Sequence, residues 1–118
     1  MVRIGLLLLA ICVPILQMKA QAVDALFLEA ARKKLTSSKD YTLQVAALMP
    51  PEYYQFQPAE HEMNFGEQLL HLSANLGWLS STYLTNEQNP VQKADMRILQ
   101  KDSIIALVTR TYDYALQA

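Results

Sequence analysis

The chain has 118 residues, 52% of them hydrophobic, with ten basic side chains against eleven acidic, two histidines and one cysteine. That length supports one modest core and no second domain. The formal net charge of −1 argues against nucleic acid as a partner, because phosphate binding draws on clustered Lys and Arg, and Arg32-Lys33-Lys34 is the one such cluster.

The first segment reads as a cleavable secretory signal peptide over residues 1–22. Arg3 supplies a positive start, 4–16 is an apolar run broken only by Gly5, Cys12 and Pro14, and Ala20-Gln21-Ala22 fits a small-x-small cleavage site. Gln17 and Lys19 end the run short of the roughly 20 apolar residues that a spanning helix needs, so no stable membrane anchor is expected after cleavage. Ile11 is too bulky to precede a lipid-modified Cys12. Export implies a secreted or periplasmic protein, and the mature domain, 23–118, has no cysteine, so packing rather than disulfides must hold it. It is mildly acidic, since removal of Arg3 and Lys19 leaves eight basic residues against the same eleven acidic ones.

Scarce glycine, no strand-like alternation and apolar residues recurring every three or four positions predict an all-α domain with three long helices. The first is expected over 24–48, with Leu28, Ala31, Leu35, Thr42, Val45 and Met49 on one stripe and Lys39 outside it. Thr36-Ser37-Ser38 could bend or split it, because hydroxyls compete for backbone hydrogen bonds. Pro50-Pro51 stops it. The loop over 50–63 carries Tyr53, Tyr54, Phe56 and Pro58, aromatic enough to pack on the end of the bundle.

Asn64 is expected to cap the second helix, with Glu67 three residues on completing a capping box. Phe65, Leu69, Leu72, Leu76, Leu79 and Tyr83 form its predicted inner stripe, with Trp78 alongside as a core residue, and the helix is expected to end near Thr85. After a polar turn over 86–90, a third helix is expected to start between Lys93 and Asp95 and run to the last residue, its inner face marked by Ile98, Lys101, Ile105, Val108, Tyr112 and Ala115 and widened by Ile104, Leu107 and Leu116. No glycine or basic last turn closes this helix, which reads as interrupted.

Few residues carry chemistry. Gly-rich phosphate loops, paired cysteines and HExxH are absent, and Ser37, Ser38 and Ser73 have no histidine-plus-acid arrangement to activate them. His71 has Glu67 one turn before it and Asn75 one turn after, a spacing that can set an imidazole and a carboxylate about one ion, or can simply combine a helix cap with a hydrogen-bonded flanking histidine. His61, between Glu60 and Glu62, could coordinate, titrate or be solvated. Tyr112 and Tyr114 read as packing residues, since an unperturbed phenol is a poor base at neutral pH.

The passage Ala46-Ala47-Leu48-Met49-Pro50, then Tyr53-Tyr54-Gln55-Phe56-Gln57-Pro58, then Asn64-Phe65-Gly66-Glu67-Gln68-Leu69-Leu70-His71 resembles the DinB-like family. The resemblance covers most of 24–118. It implies a bacterial, up-and-down-related four-helix bundle in which three histidines bind a divalent metal such as zinc or nickel, one on the second helix and two on the last. His71 is the one match, and the helix that would carry the other pair is expected to be missing. The family's enzymes are metal-dependent thiol transferases or isomerases, and the absent ligands weigh against catalysis here. Three amphipathic helices around a vacant fourth place would expose an apolar groove. Two fillings are expected: self-association as a two-fold dimer, or a helix from a partner protein. The remaining reading is an inert fragment.

Overall fold

The computed structural model describes the backbone of residues 2–118 and the side chains of residues 24–118. The expected signal peptide, 1–22, lies outside the residues whose side chains are described. Among the described residues all regular structure is helical: α1 spans Val2–Leu48, α2 spans Phe65–Tyr83 and α3 spans Lys101–Gln117, with single 3-10 turns at Pro51–Tyr53 and Lys93–Arg97. Among the described residues no helix is long and apolar enough to cross a membrane. Two compact units divide the chain, residues 1–34 and 35–118. In the first, Leu26, Phe27 and Leu28 are exposed. Among the described residues the core lies in the second.

α1 ends at Leu48, where Pro50-Pro51 takes away the amides that would extend the ladder. Its last carbonyls are not left to solvent, because Lys101 Nζ donates to Ala47 O at 2.7 Å and to Met49 O at 2.8 Å. Thr36-Ser37-Ser38 does not split the helix. Ser38 Oγ spends its hydrogen bond on Tyr112 Oη at 2.9 Å, with Thr42 Oγ1 at 3.2 Å from the same phenol, rather than on its own backbone. The stripe of α1 that meets the core begins only at Leu35; Leu28 and Ala31, expected on it, are exposed. Lys39, expected outside it, is half-buried and paired with Asp113 of α3.

The 50–63 loop divides its aromatic residues. Tyr54 is fully buried and donates its hydroxyl to Ala46 O at 2.7 Å, with Phe65 edge-on at 5.1 Å and the Lys101 ammonium 5.8 Å from its ring centre. Burial, and secondarily the Asp102 carboxylate, hold its phenol above the ordinary pKa. Tyr53 and Phe56 stay exposed.

α2 starts as expected. Asn64 Oδ1 accepts from Glu67 N at 2.8 Å, and Glu67 Oε2 accepts from Asn64 N at 2.9 Å, a reciprocal capping box. Its buried stripe is different from the predicted one and consists of Gly66, Leu69, Leu70, Ser73, Gly77 and Ser80. Of the expected stripe only Leu69 is buried; Phe65, Leu72 and Leu76 are half-buried, while Leu79 and Tyr83 are exposed. Trp78, expected in the core, is 52% exposed. The physical reason is the close approach of other segments, α3 at Gly66 and the 89–91 segment at Gly77, which leaves room only for small side chains. A Cβ on Gly66 would meet Ile104 Cδ1 at 3.1 Å, and one on Gly77 would meet Asn89 Oδ1 at 2.5 Å.

The third helix starts later than expected. Asp95 Oδ2 accepts from Gln92 N at 2.8 Å and closes Lys93–Arg97 into a 3-10 turn, after which Ile98 is extended and α3 begins at Lys101. Ile104, Leu107, Val108, Thr111, Tyr112 and Ala115 form its buried face; of the predicted one, Lys101, Ile105 and Leu116 are half-buried, Ile98 is half-buried and lies before the helix, and Thr111 takes an inner place instead. Thr111 can be there because its hydroxyl donates to Leu107 O at 2.8 Å, as Ser73 does to Leu69 O at 3.0 Å, so no buried side-chain polar atom among the described residues lacks a partner.

Candidate functional site

His71 lies two positions from the buried Ser73, about 160° round the helix, and is exposed. The Asn75 amide nitrogen is 3.0 Å from His71 Nε2; with the amide donating, Nε2 is the acceptor and Nδ1 keeps the ring proton. Glu67, one turn earlier, has one carboxylate oxygen engaged in the helix cap. The helix therefore presents His71 outward, hydrogen-bonded along its own face.

What the helix alone does not show is that the loop before it folds back towards the same imidazole. Gln57 Nε2 donates to Glu62 O at 2.7 Å and Glu62 N donates to Ala59 O at 3.2 Å, which ties 57–62 into a compact turn. His61 occupies the left-handed region with φ of 71°, the one non-glycine residue to do so among the described residues. The turn, α2 and the 3-10 turn at Lys93–Arg97 border an open hollow of about 420 Å³ lined by Gln57, His61, Glu62, Met63, Glu67, Leu70, His71 and Met96. Both histidines of the chain thus border one space. His61 also has the Glu60 carboxylate 3.8 Å away, both side chains 90% exposed.

The donor set decides which ions this arrangement suits. A tetrahedral zinc site takes four nitrogen, sulfur or carboxylate ligands, yet among the described residues no group of three or more His, Cys, Asp or Glu side chains is placed to hold an ion. The three-histidine divalent centre implied by the resemblance therefore does not fit the residues present. The two methionines in the lining went unnoticed in the sequence, although His61-Glu62-Met63 already sets an imidazole and a thioether two positions apart.

The other candidates are structural. Ser38 and Tyr112 bond to each other, Ser73 bonds its own helix, and Tyr114 donates to Glu87 O at 3.2 Å. A second hollow, of about 460 Å³, is apolar and lies under the aromatic loop, lined by Met49, Tyr53, Phe56, Pro58, Met63, Phe65 and Gln68. No family model, curated protein or solved structure matches this chain.

Proposed function

We propose that this chain is an exported, non-catalytic helical module of the DinB-like kind that works by self-association, with a second copy covering the outer side of α2. The observation that carries the proposal is the composition of that helix. Its 19 residues include one charged side chain, Glu67, at the very start, and its second half exposes Trp78, Leu79 and Tyr83 together with Leu84 just beyond it. The first half of its exposed side is polar, with Gln68, His71 and Asn75, so the large apolar residues form a patch towards its C-terminal end, and exposed apolar patches mark interaction surfaces. In the DinB-like arrangement a fourth helix would provide the cover.

The lack of charge favours a second copy as the occupant. Two-fold contacts place the same patch against itself, so a charged face would repel its own image while an uncharged one meets no such penalty. The dimer is the reading to test first, and a helix from another protein is the alternative outcome. A divalent ion at His71, zinc or nickel, rests on the resemblance alone and has no support in the donor set. Export to the periplasm or medium, with removal of residues 1–22, rests on the sequence pattern.

Size-exclusion chromatography with light scattering at micromolar concentration should give twice the chain mass, and Leu79→Glu should halve it while leaving the helical circular dichroism unchanged. Trp78, the single tryptophan, should shift its emission to the blue as concentration rises. A monomer at these concentrations, with Trp78 emission independent of concentration, would overturn the proposal.

A further inference from the structure

We propose that the hollow between the 57–62 turn and α2 is a binding site for a soft monovalent d10 cation, Cu(I) in chemical class, held by His61, His71, Met63 and Met96. The inference goes beyond the association proposed above and does not rest on it. Four soft or borderline donors line one space: both histidines of the chain, and two of its five methionines. They come from three separate segments, His61 and Met63 from the loop, His71 from α2 and Met96 from the 3-10 turn.

Ligand softness selects the ion. Thioether sulfur is a poor ligand for zinc, magnesium or calcium and a good one for Cu(I), and imidazole serves copper equally well. The same hollow offers no third nitrogen, thiolate or carboxylate placed for a divalent ion, whereas a d10 monovalent cation accepts two or three donors in linear or trigonal geometry. His61 takes its φ of 71° as the third residue of the 59–62 turn, which Glu62 N closes on Ala59 O, and the turn leaves its side chain open to solvent at the rim of the hollow. Asn75 holds His71 Nε2, leaving a proton shift to Nε2, with Asn75 turned to accept, as the way to free Nδ1, or displacement of Asn75 as the way to free Nε2.

The test uses Ag(I), a redox-inert d10 probe, on the full chain carrying Cys12→Ser so that the one thiol cannot compete. With methionine methyl groups labelled by carbon-13, silver nitrate should shift the Met63 and Met96 methyls, saturating at one equivalent, and leave that of Met49 in place, since Met49 lines the other hollow. The pair His61→Ala with His71→Ala should weaken binding at least tenfold. Because both methionines are exposed, Met63→Leu with Met96→Leu should abolish the saturable response while the circular dichroism stays unchanged. Zn(II) should move neither methyl. Equal shifts at Met49, no shift at Met63 and Met96, or saturable displacement of the two methyls by Zn(II) at one equivalent would each overturn the assignment. None of these readouts depends on whether the chain dimerises.

Discussion

The two sides of α2 share a backbone and almost a charge state, and they meet opposite fates. The inner side, with Gly66, Leu69, Leu70, Ser73, Gly77 and Ser80, is buried; the outer side, with Trp78, Leu79 and Tyr83, carries larger and more apolar groups and is exposed. Side-chain size alone would assign them the other way round. What separates them is volume at the contact: Gly66 lets Ile104 of α3 come close and Gly77 lets Asn89 and Val91 do so, and close approach turns modest side chains into core, while bulky ones stand on the flank.

That contrast can be broken most severely from the α3 side. Ile104 is fully buried and its Cδ1 lies 3.1 Å from where a Cβ on Gly66 would stand. Ile104→Ala should cost about 2–5 kcal/mol in urea unfolding; a loss under about 1 kcal/mol would mean that the contact is not closely packed. Next comes Gly77→Leu, which forces a side chain against Asn89 Oδ1, itself engaged by Val91 N at 2.9 Å. Overpacking of this kind costs about 1–3 kcal/mol. Gly77→Ala should cost less, because alanine regains about 1 kcal/mol of helix propensity, and a variant series ordered by side-chain size is the sharp form of the test.

Tyr54→Phe probes the end of the same contact, where the phenol answers Ala46 O and the Tyr54 carbonyl accepts from Gly66 N at 2.9 Å. Removing the hydroxyl leaves a buried carbonyl without its partner and should cost about 1–3 kcal/mol near neutral pH. The pH dependence follows from the raised pKa of the folded phenol. Its contribution is fully present below the unfolded value near 10 and is lost as pH rises through the higher folded value. Denaturation midpoints of the wild type should therefore fall more steeply than those of Tyr54→Phe in strongly alkaline buffer, and parallel curves would count against a protonated Tyr54 as the alkaline weak point.

The sequence was most legible where one residue type has one local job. Pro50-Pro51 stopped α1, and Asn64 with Glu67 formed the capping box, because both effects depend on the nearest few residues. The inner face of α3 was also readable, since there the apolar residues and the buried ones largely coincide. The register of α2 was not, because periodicity weighs large side chains and is blind to a contact chosen for small ones; Gly66, Ser73, Gly77 and Ser80 at spacings of seven, four and three were the signal available. At the site, His71 and Glu67 were visible as neighbours on one helix, but the approach of His61, Met63 and Met96 depends on how the 57–62 turn and the Lys93–Arg97 turn fold back, which no local pattern encodes.

The smallest expected effect is on the outer side itself, and it is the most informative about why that side is apolar. Tyr83 is 71% exposed, with only an edge-on contact to Trp78 at 6.4 Å. Tyr83→Ser should change the unfolding free energy by no more than about 0.5 kcal/mol at submicromolar concentration, as for an ordinary surface position. If a second copy covers this side, the wild-type Tm should climb with protein concentration, since only the folded chain associates, and the Tyr83→Ser curve should be flatter. Melting followed from submicromolar to hundreds of micromolar separates the cases: two coincident, concentration-independent curves would leave the outer side as bare surface, whereas curves that start together and diverge would show that the large residues excluded from the intramolecular contact are used in an intermolecular one.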